Sequence, residues 1–516
     1  MSKSVASINK KFNPLQFLSF KGEYKILHMT WFAFFLTFMV WFNMAPLIGA
    51  MKENLDFLKT NPKFIKVLMI CNVALTIPAR IIIGMILDKL GPRKTFSALL
   101  IVMIVPCLIF AFADSLMMMV ISRLLLGVIG AGFVIGIRMV AEWFPPKDVG
   151  EAEGIYGGFG NFGSAASAFL LPTIALHVFG GEDGWRYSIA LTGVMCFIYG
   201  FVYYFSVTDT PPGKTYKKPK RHGAMEVTSK GSLYGLIIMQ IPMLAALGVL
   251  VWKLNAKVKA ADGTAFLPDN VAYFIYGVLG CMFLFQAYKA WTVNIKHVTK
   301  GYPEKDKYRF RDVAILDGAY FATFGSELAV VSMLPLFYFS VWGMSLETAG
   351  MIAGTFAFMN LFARPMGGFL SDRIGSRRRT LTFLVAGLAV GYALMAVMAY
   401  NGVNGNLWPI PAAVATTMFC SFFVQSGEGA VFAMVPLVKK RVTGQIAGMV
   451  GAYGNVGAVT YLTIYSEVEH AWQFFAIIGA SAVVLGILTL FLSEPKGSFA
   501  DAHADDAEGG SEPAAA

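Results

Sequence analysis

Apolar runs of membrane-spanning length recur along the whole chain. Six lie near residues 27–50, 64–88, 94–113, 116–142, 149–179 and 186–207, each long enough to cross a hydrocarbon core as a helix. A basic segment from Lys214 to Lys230 follows, then two further runs near 232–253 and 270–293, then a second basic segment from Lys296 to Arg311. Six more runs lie near 312–341, 346–371, 380–400, 408–436, 444–467 and 470–493. The pattern predicts an all-α polytopic membrane protein with two six-helix bundles and an extra two-helix hairpin between them. The expected divisions are a polar, basic segment 1–26, a bundle 27–210, linkers 211–311 carrying the hairpin (about 232–293), a bundle 312–493 and a tail 494–516. That tail is acidic and rich in alanine and glycine, has nothing to bury, and is expected to be disordered.

The two halves repeat each other in detail. Arginine, glycine, aspartate and glycine fall at offsets 0, 4, 8 and 11 in Arg80, Gly84, Asp88 and Gly91, and again in Arg364, Gly368, Asp372 and Gly375; both copies end in basic turns, with Arg93 and Arg377. Eight helical residues put each arginine about 12 Å below its aspartate, close to the middle of a core about 30 Å thick. The segment GGFGNFG around Asn161 returns as GAYGNVG around Asn455. Glycines three and four apart let helix backbones approach closely, but packing does not account for an asparagine in each. Repeated six-span halves place a transport site at their interface.

A midplane arginine costs at least about 2.5–3.5 kcal/mol to insert, so Arg80 and Arg364 read as functional. Neither has an acid one turn away in its own span, so a carboxylate partner would have to come from another span. Two guanidinium forks in one cavity suit a small oxyanion, and amides from Asn161 and Asn455 can add donors. The repeated turn, with Gly84, Asp88 and Arg93 in one copy and Gly368, Asp372 and Arg377 in the other, can form ion pairs that lock the halves on one side; the alternative is topology alone, basic residues being kept inside by the membrane potential.

Composition narrows the classes. The chain is 56% hydrophobic and 14% charged, with a mean hydropathy of +0.61, unlike soluble domains. Its net charge of +11 resides in short loops, the positive-inside pattern rather than a nucleic-acid surface. The termini are therefore expected in the cytoplasm of an inner (plasma) membrane protein. Five isolated cysteines (71, 107, 196, 281, 420) offer no disulfide framework or metal set and read as small core residues. No nucleophile–base pair or nucleotide-binding loop appears, so neither an enzyme nor a bound cofactor is expected.

The glycine–aspartate–glycine–basic turns resemble those of the major facilitator superfamily. The paired arginines with GGFGNFG and GAYGNVG resemble, more narrowly, its nitrate/nitrite porter family. The match covers about 30–210 and 310–490, and the hairpin departs from the family's usual twelve spans. The segments Ala322-Thr-Phe324-Gly325-Ser326-Glu327 and Glu142-Trp-Phe-Pro-Pro further resemble its nitrate-uptake branch. The resemblance implies that both arginines hold the anion with aromatic help, the matching positions being Phe38, Phe133, Tyr320 and Phe324.

Nitrate is flat and singly charged, so two planar guanidiniums can take its edges while rings close its faces. Nitrite is nearly as small and flat. The expected partners are thus nitrate, nitrite, protons and lipid, with no obligate protein partner. The proton-coupling candidates are Glu327, Glu428 and Asp317, acids within apolar runs. Glu142, four residues after Arg138, is expected to form a local ion pair. Proton-coupled uptake is the leading expectation; nitrate/nitrite exchange and a major facilitator carrier for another small organic anion are the alternatives.

Overall fold

The computed structural model describes residues 19–61, 63–144, 146–213, 216, 224–259, 263–303, 307–439 and 443–494. The tail and residues 1–18 lie outside them. The first half comprises α1 (Gly22–Trp41, continuing as Ile48–Asn54), α2 (Lys63–Ala74 and Thr76–Leu90), α3 (Pro92–Val102 and Ile104–Ala111), α4 (Leu116–Leu126 and Gly132–Trp143), α5 (Pro146–Thr173) and α6 (Gly184–Ser206). The hairpin is α7 (Lys230–Ile238 and Gln240–Trp252) and α8 (Asp269–Lys300). The second half comprises α9 (Phe310–Val341), α10 (Leu346–Phe358 and Asn360–Arg373), α11 (Arg377–Val403), α12 (Ile410–Val438), α13 (Thr443–Glu467) and α14 (Ala471–Thr489).

Among the described residues, thirteen stretches are long and apolar enough to span a membrane. α13 is not among them, because five glycines and Asn455 dilute its apolar content. It is nevertheless packed on both halves, against α9 on one side and α2 on the other. α5 is its counterpart, lying on α1 and on α10. Two six-helix bundles thus meet through their glycine-rich fifth helices.

The helices that carry the arginines are broken at matching places. α2 breaks at Leu75 and α10 at Met359, each five residues before its arginine. In α2 the cause is local: Pro78 has no N–H to give the carbonyl of Ala74. The second segments then end in turns where Gly91 (φ +83°) and Gly375 (φ +76°) take left-handed conformations that a side chain would strain. Ser376 caps the next helix by accepting from the backbone N–H of Arg379 at 3.3 Å.

The hairpin straddles the seam between the halves. α7 packs on α13 and α9 of the second half and on α2 of the first. The Tyr453 hydroxyl donates to the Met239 carbonyl at 2.6 Å, and Lys253, almost fully buried, pairs with Glu467 and donates to Ser466 at 2.6 Å. α8 is the outer member, with Tyr273 and Phe274 about seven-tenths exposed. Cys281 lies on this exposed helix, which corrects the expectation that all five cysteines are core residues; the other four are buried. A lipid-facing helix and a core helix are equally apolar, so hydropathy alone does not separate them.

Candidate functional site

The break in α2 delivers Arg80 to the seam, fully buried. Its Nε donates to the Gly130 carbonyl at 3.4 Å, and one terminal nitrogen donates across the seam to the Gly451 carbonyl of α13. The other terminal nitrogen has no hydrogen-bond partner among the described residues. The guanidinium carbon sits 5.1 Å from the ring centre of Phe133 and 5.2 Å from that of Phe324.

Arg364 arrives from the other half by the same route and meets the same two rings, at 5.5 and 5.9 Å. It donates to the Tyr320 hydroxyl at 3.1 Å. Its partner at the other terminal nitrogen is Glu428 of α12, an ion pair with both members buried. Glu428, expected only as a proton carrier, is therefore also the counter-ion of one arginine, whereas Arg80 has no carboxylate partner among the described residues. Three nearly parallel rings separate and support the cations. Phe324 lies 4.9 Å from Tyr320 and 6.3 Å from Phe133, with interplanar angles of 11° and 22°. Such cation–ring contacts contribute about 2 kcal/mol each when desolvated.

Each arginine rests on a glycine of the opposite half. A Cβ on Gly157 would stand 2.6 Å from Nε of Arg364, and one on Gly451 would stand 2.9 Å from Nη1 of Arg80. These are the close approaches for which the repeated glycines are required. The asparagines one turn further on behave differently. Asn161 donates to Glu327 at 3.3 Å and to Asn360 at 3.5 Å, and Asn360 donates to Glu327 at 2.5 Å. Glu327 also meets Glu428. A continuous polar chain thus runs from Asn161 in the first half through Glu327 and Glu428 to Arg364. Asn455 stays within its own helix, donating to the Gly451 carbonyl at 3.1 Å.

Phe38 stands one layer back, 6.5 Å from Phe324. Asp317 is buried but apart from the arginines; neither oxygen has a hydrogen-bond partner among the described residues, and Tyr453 is its titratable neighbour. Arg138 and Glu142 form the expected pair, at 2.7 Å.

At the repeated turns, the side chains of Asp88 and Asp372 lie outside the described residues. The acids seen there are others. Asp209, just beyond α6, accepts from the Arg93 backbone N–H at 2.7 Å. Glu494, beyond α14, accepts from the N–H groups of Arg377 at 2.8 Å and Arg378 at 3.2 Å. Each anion neutralises the start of a helix. The Arg93 guanidinium lies 4.9 Å from the Tyr204 ring, and that of Arg377 donates to the Ala433 carbonyl at 3.1 Å. Gly84 and Gly368 fall on the arginine helices.

Further residues join the site that the motifs did not flag. Phe432 packs edge-on against Phe133 and Tyr320, both at 5.0 Å. Tyr156 donates to the Gly132 carbonyl at 3.0 Å and stacks on Phe34 at 4.9 Å, bracing the Phe133 turn. Phe432 lies one turn from Glu428 and Asn360 one turn before Arg364, so helical spacing around the charged residues is the signal that could have found them.

Comparison with known proteins fits this architecture. The model of the Major Facilitator Superfamily matches residues 30–309 and 316–512. The chain belongs to the major facilitator superfamily. Within it, this protein is 49% identical to the nitrate/nitrite transporter NrtP of a Picosynechococcus species, over 95% of this chain and 96% of that one. It is equally identical to the NrtP of Nostoc punctiforme, with the same coverage. High-affinity nitrate transporter 2.3 of rice is 26% identical over 84% of this chain and 70% of its own. These relatives put this facilitator protein in the nitrate/nitrite porter family. The xylose transporter XylE from E. coli in its inward-open conformation shares the fold, with a TM-score of 0.60 at 12% identity over 92% of this chain and 97% of that one.

Proposed function

We propose that the protein is a secondary active transporter that carries nitrate, and also nitrite, by alternating access, with protons driving uptake. The observation that carries the reading is the meeting of two buried guanidiniums, one from each half, over one pair of aromatic rings. The relatives named nitrate/nitrite transporters supply the substrate class; the site supplies its logic. Arg80, Arg364, Asn161 and Asn455 would donate to the oxygens of a flat monoanion, while Phe133, Tyr320 and Phe324 would close its faces and Phe38 would back them.

The charge count explains the coupling. Two arginines balanced by two ionised acids, Glu327 and Glu428, give an anion no net attraction. Protonation of this acid pair is the event that changes the count. One proton on that pair loosens Glu428 from Arg364 and leaves one net positive charge, which one nitrate neutralises. Loading of the anion therefore follows loading of the proton, and the neutral complex can cross the low-dielectric centre. Asp317 is a weaker candidate for this role, since it stands outside the polar chain.

Both halves, 27–210 and 312–493, would rock over the site, with the turns at Gly91 and Gly375 on the cytoplasmic side. The basic linkers on that side, and the six-span symmetry, support a plasma (inner) membrane protein with both termini in the cytoplasm.

The test is uptake of labelled nitrate by proteoliposomes, under an imposed proton gradient and, separately, against internal nitrite without a gradient. Uptake that follows the gradient supports symport. Uptake that needs internal nitrite and ignores the gradient replaces symport with exchange, and binding of small carboxylates without nitrate would replace the substrate.

A further inference from the structure

We propose that Glu153 is the exit residue for the coupling proton, passing it from the Glu327–Glu428 pair to the cytoplasmic side as the anion leaves Arg364. The proposal rests on the reading of the protein as a proton-coupled anion carrier. Glu153 lies in the second turn of α5, and only 4% of it is exposed. Both of its carboxyl oxygens are buried, and neither has a hydrogen-bond partner among the described residues. A purely structural acid in that position is costly, because an unpaired buried polar group costs free energy that leucine or methionine packing would avoid.

Its direction is given by its helix. Residues 153, 154, 157, 158 and 161 share the face of α5 that lies on α10. A Cβ on Gly154 would stand 3.2 Å from the Pro365 Cα, and Gly157 lies against the Arg364 guanidinium. Glu153 is one turn from Gly157, about 6 Å along the axis toward the helix start, and so between the arginine and the cytoplasmic turns.

Arg364 is the charged side chain whose field reaches it. The other charged groups on the elements around α5 are engaged or distant. Arg138 and Glu142 of α4 pair with each other, and Glu428 of α12 pairs with Arg364. Glu347 of α10 pairs with His177 at the far end of α5, and Arg186 of α6 pairs with Asp114 at 3.0 Å. Glu23, Lys25 and His28 lie at the start of α1, where the His28 ring accepts from Trp31 at 2.9 Å. The side chain of Asp372 is outside the described residues.

The repeat does not share this acid. At the 294-residue shift that maps Asn161 onto Asn455, the second half has Ala447, a buried residue. Among the described residues, acids thus gather around Arg364, at Glu428, Glu327 and Glu153, while Arg80 has none. Arg364 is the cation whose pairing changes during the cycle. When the site opens to the cytoplasm, Glu153, a neutral carboxyl at rest and so outside the charge count above, gives its proton to water and takes the one that leaves Glu428. Glu428, again a carboxylate, re-forms its pair with Arg364 and the anion is displaced. Proton and anion leave by the same side, and Glu153 ends in its starting form.

The experiment uses the full-length protein in proteoliposomes and compares two transport modes. Net uptake of labelled nitrate under a proton gradient requires proton release; exchange of labelled for internal unlabelled nitrate at equal pH does not. Glu153→Gln is expected to lower net uptake by about 100-fold, the usual weight of a positioned proton-transfer group, with exchange close to wild type. Glu153→Asp is expected to restore part of the net uptake. Gradient-driven uptake retained in Glu153→Gln, or both modes lost together, would overturn the assignment. A wild type indifferent to the gradient would instead refute the coupling itself, and the assignment with it.

Discussion

Gly157 offers a sharp test, because a single methyl group separates two outcomes. Substitution by alanine in a helix removes conformational freedom and ordinarily adds up to about 1 kcal/mol of stability. Here the added carbon would stand 2.6 Å from Nε of Arg364, 3.0 Å from Cζ and 3.2 Å from Cδ. The root of the guanidinium cannot swing away cheaply, since its terminal nitrogens are held by Glu428 and Tyr320. Overpacking of this kind costs about 1–3 kcal/mol, which at 1.4 kcal/mol per tenfold weakens anion binding by about 5- to 150-fold. Gly451→Ala meets only the tip of Arg80, at 2.9 Å, with its next contacts at 3.6 and 3.7 Å. A tip can yield, so this variant should fall at the mild end of the same range. The assay is the concentration dependence of labelled nitrate uptake, with thermal stability in detergent measured alongside. KM should rise in both variants, more for Gly157→Ala, and thermal stability should fall in Gly157→Ala more than in Gly451→Ala. Wild-type kinetics for Gly157→Ala, or greater damage from Gly451→Ala, would refute the account of the cradles.

Other outcomes follow from the same site. Arg80→Lys and Arg364→Lys should each abolish uptake with normal amounts of protein in the membrane, because a point charge does not replace a planar fork; uptake and immunoblotting decide. Glu428→Gln should leave nitrate exchange in place but flatten its dependence on pH, since Arg364 no longer waits for a proton; an unchanged pH profile would remove Glu428 from the coupling. Asp209→Ala and Glu494→Ala should lower thermal stability by similar amounts, about 0.5–2 kcal/mol each, the range for a lost helix cap; unequal losses would show that the two turns are not equivalent.

Much of this was legible in the residues, for identifiable reasons. Offsets of 4, 8 and 11 repeat because the two arginine helices end in the same glycine turn, and a left-handed turn leaves a glycine that can be read. Pairing across helices left no such mark. Glu428 joins Arg364 through the register of α12 on α10, which no local pattern encodes. Glu153 follows Asp148 and Glu151 in the sequence, where a span begins and charged residues are ordinary; its burial leaves no local mark. Asp209 and Glu494 are set 285 residues apart, like the arginines they serve at 284, but lie after the last span of each half, where the turn motif does not extend. Cys281 shows the reverse case, a small apolar residue whose surroundings depend on which side of a hairpin meets the protein.

The crossed seating of the two cations bears on how such a molecule could have arisen. Each half carries an arginine it cannot house and a smooth helical track for an arginine it does not own. Neither half alone is a partial carrier, but two copies of one would seat each other's charge, so an ancestral dimer could work before fusion. The acids that cluster on one side only are then the later departure, and they became available once the copies were joined in a single gene and free to diverge.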